Sequence, residues 1–379
     1  MLLLEYQAKT ELSKMGVAVP EGAVARTPEE ASGIAAALGR AVVVKAQVPA
    51  GGRGKAGAIR LAQSPDEAAR AAEEILGRRV GGHLVDCVLV EEKLPIQQEL
   101  YLSIVFDAAH AGYTVLFSTQ GGMDIEELAA AHPESIQRLA LDPFSQLDLE
   151  RAASLLQAGG LEAPHLSGVQ ETLLTLYRLF REKDLLLAEI NPLALGARPW
   201  PVAVDFKMEV DDDALFRHPE YIPIFMQRLD ERERIAHELG ISFVALDGDI
   251  GVIASGAGLG MATLDLLQRE GLRPANFLDT GGGITEKLMY RAVRLVMEPA
   301  GVRGGLINLY GGINPMVEAA QGIVAALQDM PVRKPIVVKL VGNRQEEAWA
   351  ILEGAGVPVV KTVRTEEAAA LLARLLRPA

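Results

Sequence analysis

Four glycines, Gly51, Gly52, Gly54 and Gly57, surround Arg53 and Lys55 in the stretch AVVVKAQVPAGGRGKAGAIRL, residues 41–61. Glycine lets a backbone approach a ligand closely and leaves N–H groups free to point at it. Lys45 ends the apolar run before the loop, so three cations attend one glycine-rich turn. The anion this chemistry suits is a nucleotide phosphate. The alternative is a solvated hairpin tip with surface charges. No Gly-Lys-Ser/Thr follows, and a strand comes next where the P-loop needs a helix.

A second group lies in LLLAEINPLALGARPWPVAVDFKMEV, residues 185–210. Two apolar strands flank a turn around Gly196–Pro201. A hairpin centred on residue 198 sets Asn191 opposite Asp205, and opposed residues of an antiparallel pair share a face. Glu189 lies one pleat repeat before Asn191 on that face. These are oxygen ligands with nothing soft among them, which suits Mg²⁺. The alternative is an ordinary polar outer face. The flanks LLLA and VAV weigh against it, because polar groups buried in such strands need partners. Glu91 and Glu99 end a connection containing Pro95. There they are either acceptors along a nucleotide base and ribose or plain loop acids.

A third group comprises glycine loops that follow strands: Ser255–Gly258, Thr280–Gly283 and Gly311–Pro315. Asn314-Pro315 is a cap and first-turn pair for a helix from 315 to about 328. Its free N–H groups and dipole suit a phosphate or carboxylate.

The elements that position these residues follow from periodicity and punctuation. A helix is expected over 3–16, stopped by Gly16. Thr27-Pro28-Glu29-Glu30 reads as a capping box opening a helix to Leu38, and Ser64-Pro65-Asp66-Glu67 repeats the signal. Strands are expected at 86–91, 99–106 and 113–118, and helices around 123–131, 148–158 and 168–182. Residues 214–240 form a polar connection containing helix. From 241 the pattern is strand, glycine loop, helix, with strands at 250–254, 276–279, 305–310, 335–341 and 357–363. That alternation predicts an α/β unit with a doubly wound parallel sheet, whose ligand end lies beyond the strands' carboxyl edge. The N-terminal part reads as α+β. The boundary is expected between 240 and 241, giving domains 1–240 and 241–379.

At 379 residues and 49% hydrophobic content the chain can bury two cores. Its net charge of −13 argues against nucleic-acid binding. No apolar run approaches the ~18–20 residues of a membrane span, and Glu5 comes too early for a signal-peptide core. Cys87, in an apolar run, is the single cysteine. The profile is that of a reduced, cytoplasmic compartment.

Three function classes fit. A nicotinamide dehydrogenase could use Gly256–Gly258 after a strand, with Asp279 about 20 residues on. Yet the spacing is GxGxG rather than GxGxxG, and Asp279 leads into Gly281–Gly283 as though building a loop. A binding module without chemistry leaves the phosphate-type loop and the Asn/Asp pair unexplained. A phosphoryl-transfer enzyme uses nucleotide, metal and a second anion centre together.

The motifs EYQAK at 5–9, VVKAQ…AGGRGKAG from 43, EINPL at 189–193 and DALFRHP at 213–219 resemble the β subunits of succinyl-CoA synthetases. So do ALDGDIG at 245–251, GAGLGM at 256–261, PANFLDTGGG at 274–283 and YGGI at 310–313, and the match covers nearly the whole chain. The resemblance implies an ATP-grasp domain followed by a flavodoxin-like CoA-ligase domain. It implies a partner α subunit, in an αβ or α₂β₂ complex, that binds CoA and carries a phosphohistidine. The implied reaction, that of the tricarboxylic acid cycle enzyme, interconverts acyl-CoA, phosphate and nucleoside diphosphate with dicarboxylic acid, CoA and ATP or GTP.

By position, Lys45 and Gly52-Arg53-Gly54 are implied to hold the nucleotide phosphates, and Glu91, Leu94 and Glu99 the base and ribose. Asn191 and Asp205 are implied to hold Mg²⁺, and Glu189 to meet the phosphohistidine. Ser255, Gly312, Ile313 and Asn314 are implied to bind the acid. The chain departs from the family at Ser255, usually Asn, and at Pro315 and Val317, usually Arg and Asp. Leu4 stands where His is usual. Those changes, with GGMDIEE at 121–127, resemble the malate–CoA ligase branch as much as the succinate one. They also fit a nucleotide-binding paralogue without turnover. None of the six histidines sits in a glycine-rich strand-to-loop context suited to a swinging phosphohistidine, so the chain alone is expected to be catalytically incomplete.

Overall fold

The computed structural model describes residues 1–196, 200–312 and 316–377. The chain divides into two compact units, Met1–Ile222 and Pro223–Ala379. Among the described residues, no helix is long and apolar enough to cross a membrane.

Two large antiparallel sheets, with a small two-stranded pair of Arg79–Val80 and His83–Leu84, form the first unit. In one, Gly22–Ala25, Val88–Glu92, Val42–Ala46 and Ile59–Ala62 lie side by side in that order. Val42, Val44, Ala46, Val88 and Val90 pack with alanines of the helices Pro28–Leu38 and Pro65–Ile75. Successive strand residues face opposite ways, so Lys45 and Glu91 point away from that core. Thr27 and Ser64 cap the two helices by accepting the N–H groups of Glu30 and Glu67 at 3.2 Å. The expected capping box closes differently. Glu30 accepts from the N–H of Arg26, and Glu67 from that of Gln63, one residue before each cap. The cap residues are extended, which brings the preceding N–H within reach.

The other sheet is built on the long strands Gln98–Asp107 and Leu185–Leu195. Gly112–Ser118 and Gln137–Leu141 extend it on one side, and Val202–Ala203 and Phe206–Val210 pair with Leu185–Leu195 on the other. Glu189 opposes Lys207, Ile190 opposes Phe206 and Leu193 opposes Ala203, the register of a hairpin centred on 198. Between those pairs, the Asn191 N–H donates to the Asp205 carbonyl at 3.2 Å.

The second unit carries one six-stranded sheet. Its parallel strands run in the order Asn276–Asp279, Ile250–Ala254, Gly304–Gly311, Ile336–Gly342 and Val359–Val360. Numbered along the chain that order is 2-1-3-4-5, the flavodoxin-like arrangement. Helices cover both faces around separate apolar clusters. Two expectations are corrected here. A sixth strand, Ser242–Ala245, pairs antiparallel with Asn276–Asp279 at the sheet edge. The unit also begins at 223 rather than 241, because Ala236 of the helix Glu231–Leu239 and Ile241 are buried in the same cluster as Phe243 and Leu278.

Candidate active site

In the first unit a cavity of about 590 Å³ is lined by Gly51–Lys55, Glu5, Glu126, Glu189, Asn191 and Asp205, among others. The glycine loop closes on itself through bonds from Ala56 N–H to Gly52 and from Ala58 N–H to Arg53, both 3.0 Å. Gly52 holds φ +72°, a conformation that needs glycine there. Lys55, on the exposed side, reaches Asp124 and Glu127 of the segment opposite at 3.0 and 2.6 Å.

Behind the loop lies a buried charge cluster. The Lys45 ammonium donates to Glu5 and to the Val204 carbonyl, both at 2.9 Å, and to Glu91. Arg53 donates to Glu5 at 2.6 Å and, through its other terminal nitrogen, to both oxygens of Asp205 at 3.0 and 2.7 Å. Lys9 pairs with Glu5 at 2.8 Å and with Glu91 at 2.7 Å. Burial opposes the charge on Lys45, but Glu5, Glu91 and Asp205 overcome it and raise its pKa above the ordinary value. Burial likewise opposes the charge on Arg53, and Asp205 and Glu5 raise its pKa. Glu5 is held well below the usual carboxylate range: burial works against its charge, and Lys9, Lys45 and Arg53 outweigh that.

Glu189 accepts a hydrogen bond from the Tyr101 hydroxyl at 3.0 Å. Burial raises the Glu189 pKa, with the Tyr101 bond opposing the rise. Asn191 Oδ1 accepts the Gly122 N–H at 2.8 Å and its Nδ2 donates to the Met123 carbonyl at 2.9 Å. This amide therefore fixes the loop before the helix Ile125–Ala131 against the hairpin.

The structure brings Gly52, Arg53, Gly54, Glu189, Asn191 and Asp205 to one cavity, with Lys45 bonded to the Glu5 of its wall. It does not bring Glu91, Leu94 or Glu99 there. Glu91 is a buried strand residue rather than a loop acid, and it lines a second cavity of about 490 Å³ with Lys9, Tyr6 and Pro20. Glu99 lies under Gly122, where any Cβ would meet its carboxylate at 1.7 Å. Glu5, Lys9 and Tyr101 are absent from the sequence expectations. Glu5 and Lys9 lie within the motif EYQAK, and their i,i+4 spacing by itself assigns them no role. Tyr101 was findable once pairing was known, since Ser103 opposes Glu189 and Tyr101 is its same-face neighbour.

Among the described residues, no three or more His, Cys, Asp or Glu side chains gather as a metal site. Asn191 and Asp205 both line the cavity, and their side-chain oxygens are of the hard type that Mg²⁺ takes, one or two from protein with water and phosphate completing the shell.

In the second unit, Ser255 follows the Ile250–Ala254 strand and Gly312 follows Gly304–Gly311. These neighbouring parallel strands flank the point where strand order reverses. The Ser255 hydroxyl donates to the Tyr310 carbonyl at 3.1 Å, and its oxygen lies 2.9 Å from the Tyr310 N–H. Asp279 accepts the N–H groups of Gly256 at 2.6 Å and Gly281 at 2.8 Å. That carboxylate builds the loops and is not turned out toward a ribose, which removes the main support for a dinucleotide site. Ile313, Asn314 and the Asn314-Pro315 helix start lie outside the described residues.

Comparison with known proteins adds the following. Residues 2–195 match the ATP-grasp domain family, and residues 253–373 match the CoA-ligase family. The chain is 42% identical to the succinate–CoA ligase [ADP-forming] subunit beta of Ignicoccus hospitalis, over all of both chains. It is 42% identical to the succinate–CoA ligase [GDP-forming] subunit beta of Thermus thermophilus, over 96% of each. The ATP citrate lyase of Methanothrix soehngenii, solved with citrate and coenzyme A, superposes with a TM-score of 0.80 at 18% identity. It covers 98% of this chain and 99% of that one, and shows a shared fold.

Proposed function

The chain belongs to the family of succinate–CoA ligase β subunits, and from that premise we propose that its glycine-loop cavity is the phosphoryl-transfer site of a nucleotide-coupled acid–CoA ligase. As a β subunit of this family it works with an α subunit. The observation that carries the reading is the convergence of the Gly51–Lys55 loop, Glu189, Asn191 and Asp205 on one cavity.

Lys45 and Arg53 neutralise the phosphates, and the Gly52–Gly54 backbone approaches them closely. Asn191 and Asp205 would hold Mg²⁺, which would supply charge to screen the phosphates. Glu189 accepts the ring N–H of the α subunit's histidine, so that the opposite nitrogen is presented to the terminal phosphoryl group. Tyr101 fixes the Glu189 carboxylate for that contact. In the ligase direction the phosphoryl group passes from ATP or GTP to that nitrogen and the diphosphate leaves. Glu91 and the second cavity that it lines serve the base side. In the other unit, Ser255 and the loop after Gly311 serve the acid.

Ser255, Pro315 and Val317 in place of the family's usual residues, with GGMDIEE at 121–127, leave a second reading for the acid, malate as well as succinate. The Ser255 side chain is committed to Tyr310. The test is co-expression with the α subunit, followed by a panel of succinate, malate and related acids with ATP and with GTP. Turnover with succinate identifies the first reading and turnover with malate the second. Bound nucleotide with no acid supporting CoA consumption leaves a binding module.

A further inference from the structure

We propose that Asp205 is a resident counter-anion that makes nucleotide binding conditional on the metal. It holds Arg53 in the nucleotide-free chain and passes to Mg²⁺ as a phosphate takes Arg53. The inference rests on the nucleotide reading above and concerns the order of charge within that site.

Both cations meant for phosphate are already committed. Lys45 spends its three donors on Glu5, Glu91 and the Val204 carbonyl. Arg53 is shared between Glu5 and both oxygens of Asp205. The cluster is balanced, with Lys9, Lys45 and Arg53 against Glu5, Glu91 and Asp205.

The two carboxylates on Arg53 differ in what they can do. The Glu5 side chain is 1% exposed and is held by three cations. It has nowhere to go. The Asp205 side chain is 29% exposed, lines the cavity beside Asn191 and is bonded to Arg53. It is the exchangeable one.

A metal-free phosphate that displaces Asp205 from Arg53 comes to rest beside an unpaired carboxylate. Mg²⁺ that displaces Arg53 from Asp205 comes to rest beside an unpaired guanidinium. Each ligand alone breaks an ion pair and meets a like charge. Arriving together they exchange one pair for two, Asp205 with Mg²⁺ and Arg53 with phosphate. Metal and nucleotide must therefore raise each other's affinity by the same factor.

The test is calorimetric ADP binding to the dephosphorylated complex of the full chain with its α subunit, in excess Mg²⁺ and in EDTA. Wild type should bind ADP at least about tenfold more weakly in EDTA than in Mg²⁺. Asp205→Asn should bind metal-free ADP about tenfold more tightly than wild type does, and should gain nothing from Mg²⁺. Wild type that binds ADP with Mg²⁺, beside an Asp205→Asn variant with no gain in EDTA, overturns the inference alone. Wild type that binds no ADP under either condition overturns the nucleotide reading with it. If Asp205→Asn does not fold, the wild-type thermal shifts decide. A shift with ADP and Mg²⁺ together that exceeds the sum of the separate shifts supports the exchange; additive shifts overturn it.

Discussion

Lys45 has two tasks in one side chain, and they predict two losses from one change. In the proposed function it offers charge to a phosphate; in the structure it neutralises Glu5 and Glu91, whose side chains are 1% and 2% exposed. Lys45→Ala should abolish nucleotide-dependent phosphorylation of the α subunit. It should also cost about 3–5 kcal/mol of stability, because it strands buried carboxylates. Radiolabelling and thermal unfolding measure the two effects. Normal labelling would refute the phosphate assignment, and an unchanged melting temperature would refute the cluster. The exposed Lys55, paired with Asp124 and Glu127 outside the cluster, is the control that should leave the melting temperature unmoved.

Glu5 gives a pH signature. Its folded-state pKa lies below the ordinary value, so the stability it contributes is full above about pH 4.3 and is lost as pH falls through the lowered pKa. The gap in melting temperature between wild type and Glu5→Gln should be widest near neutrality and should close in acid. A constant gap would mean that Glu5 is not the charged centre of the cluster. Neither Glu5 nor Lys9 was legible in the sequence. The glycines and cations of GGRGKAG declare themselves by composition within a few residues. The value of Glu5 arises only when its helix packs beside strands some forty residues and two hundred residues away. Local spacing contains no trace of that.

At the scale of elements, the hairpin carrying Asn191 and Asp205 was readable because one turn centre fixes every pair. The parallel strands of the second unit were readable as apolar runs that end in glycine. The strands Gln137–Leu141 and Ser242–Ala245 were not. Both are short edge strands with exposed alternate residues, and their pairing comes from the neighbouring strand rather than from their own pattern.

The glycine at the end of Ile336–Gly342 links elements in a testable way. Gly342 holds φ +148°, and a Cβ there would lie 1.8 Å from the Gly311 carbonyl oxygen. Gly342→Ala should push the end of the Gly304–Gly311 strand and the loop that follows it, at a cost of about 1–3 kcal/mol. Steady-state kinetics of the αβ complex should show a higher KM for the acid, with ADP binding unchanged because that cavity belongs to the other unit. An unchanged acid KM would detach the Gly311 loop from acid binding.

For the whole molecule, the family requires an α subunit, and the residues agree. Among the described residues, the cavity walls carry charge, amide and backbone groups but no histidine to take a phosphoryl group. The purified single chain should bind nucleotide yet show no acid-dependent CoA consumption, and adding the α subunit should restore it. Robust turnover by the single chain would sink that division of labour. The two-unit plan was legible in composition. The position of the break was not, because the polar helix Glu231–Leu239 reads as linker until its Ala236 is seen buried against the sheet.

The sheet of the second unit ends on one side in the two-residue strand Val359–Val360. On the other side it ends in the antiparallel strand Ser242–Ala245, with the helix Glu231–Leu239 against it. A long bare strand at either margin would be a template on which another molecule could add its own backbone. The central parallel strands, with buried valine, isoleucine and leucine, are the kind of segment for which such recruitment matters. With one margin cut to two residues and the other a four-residue strand backed by a helix, the buried central strands stay away from any long bare edge.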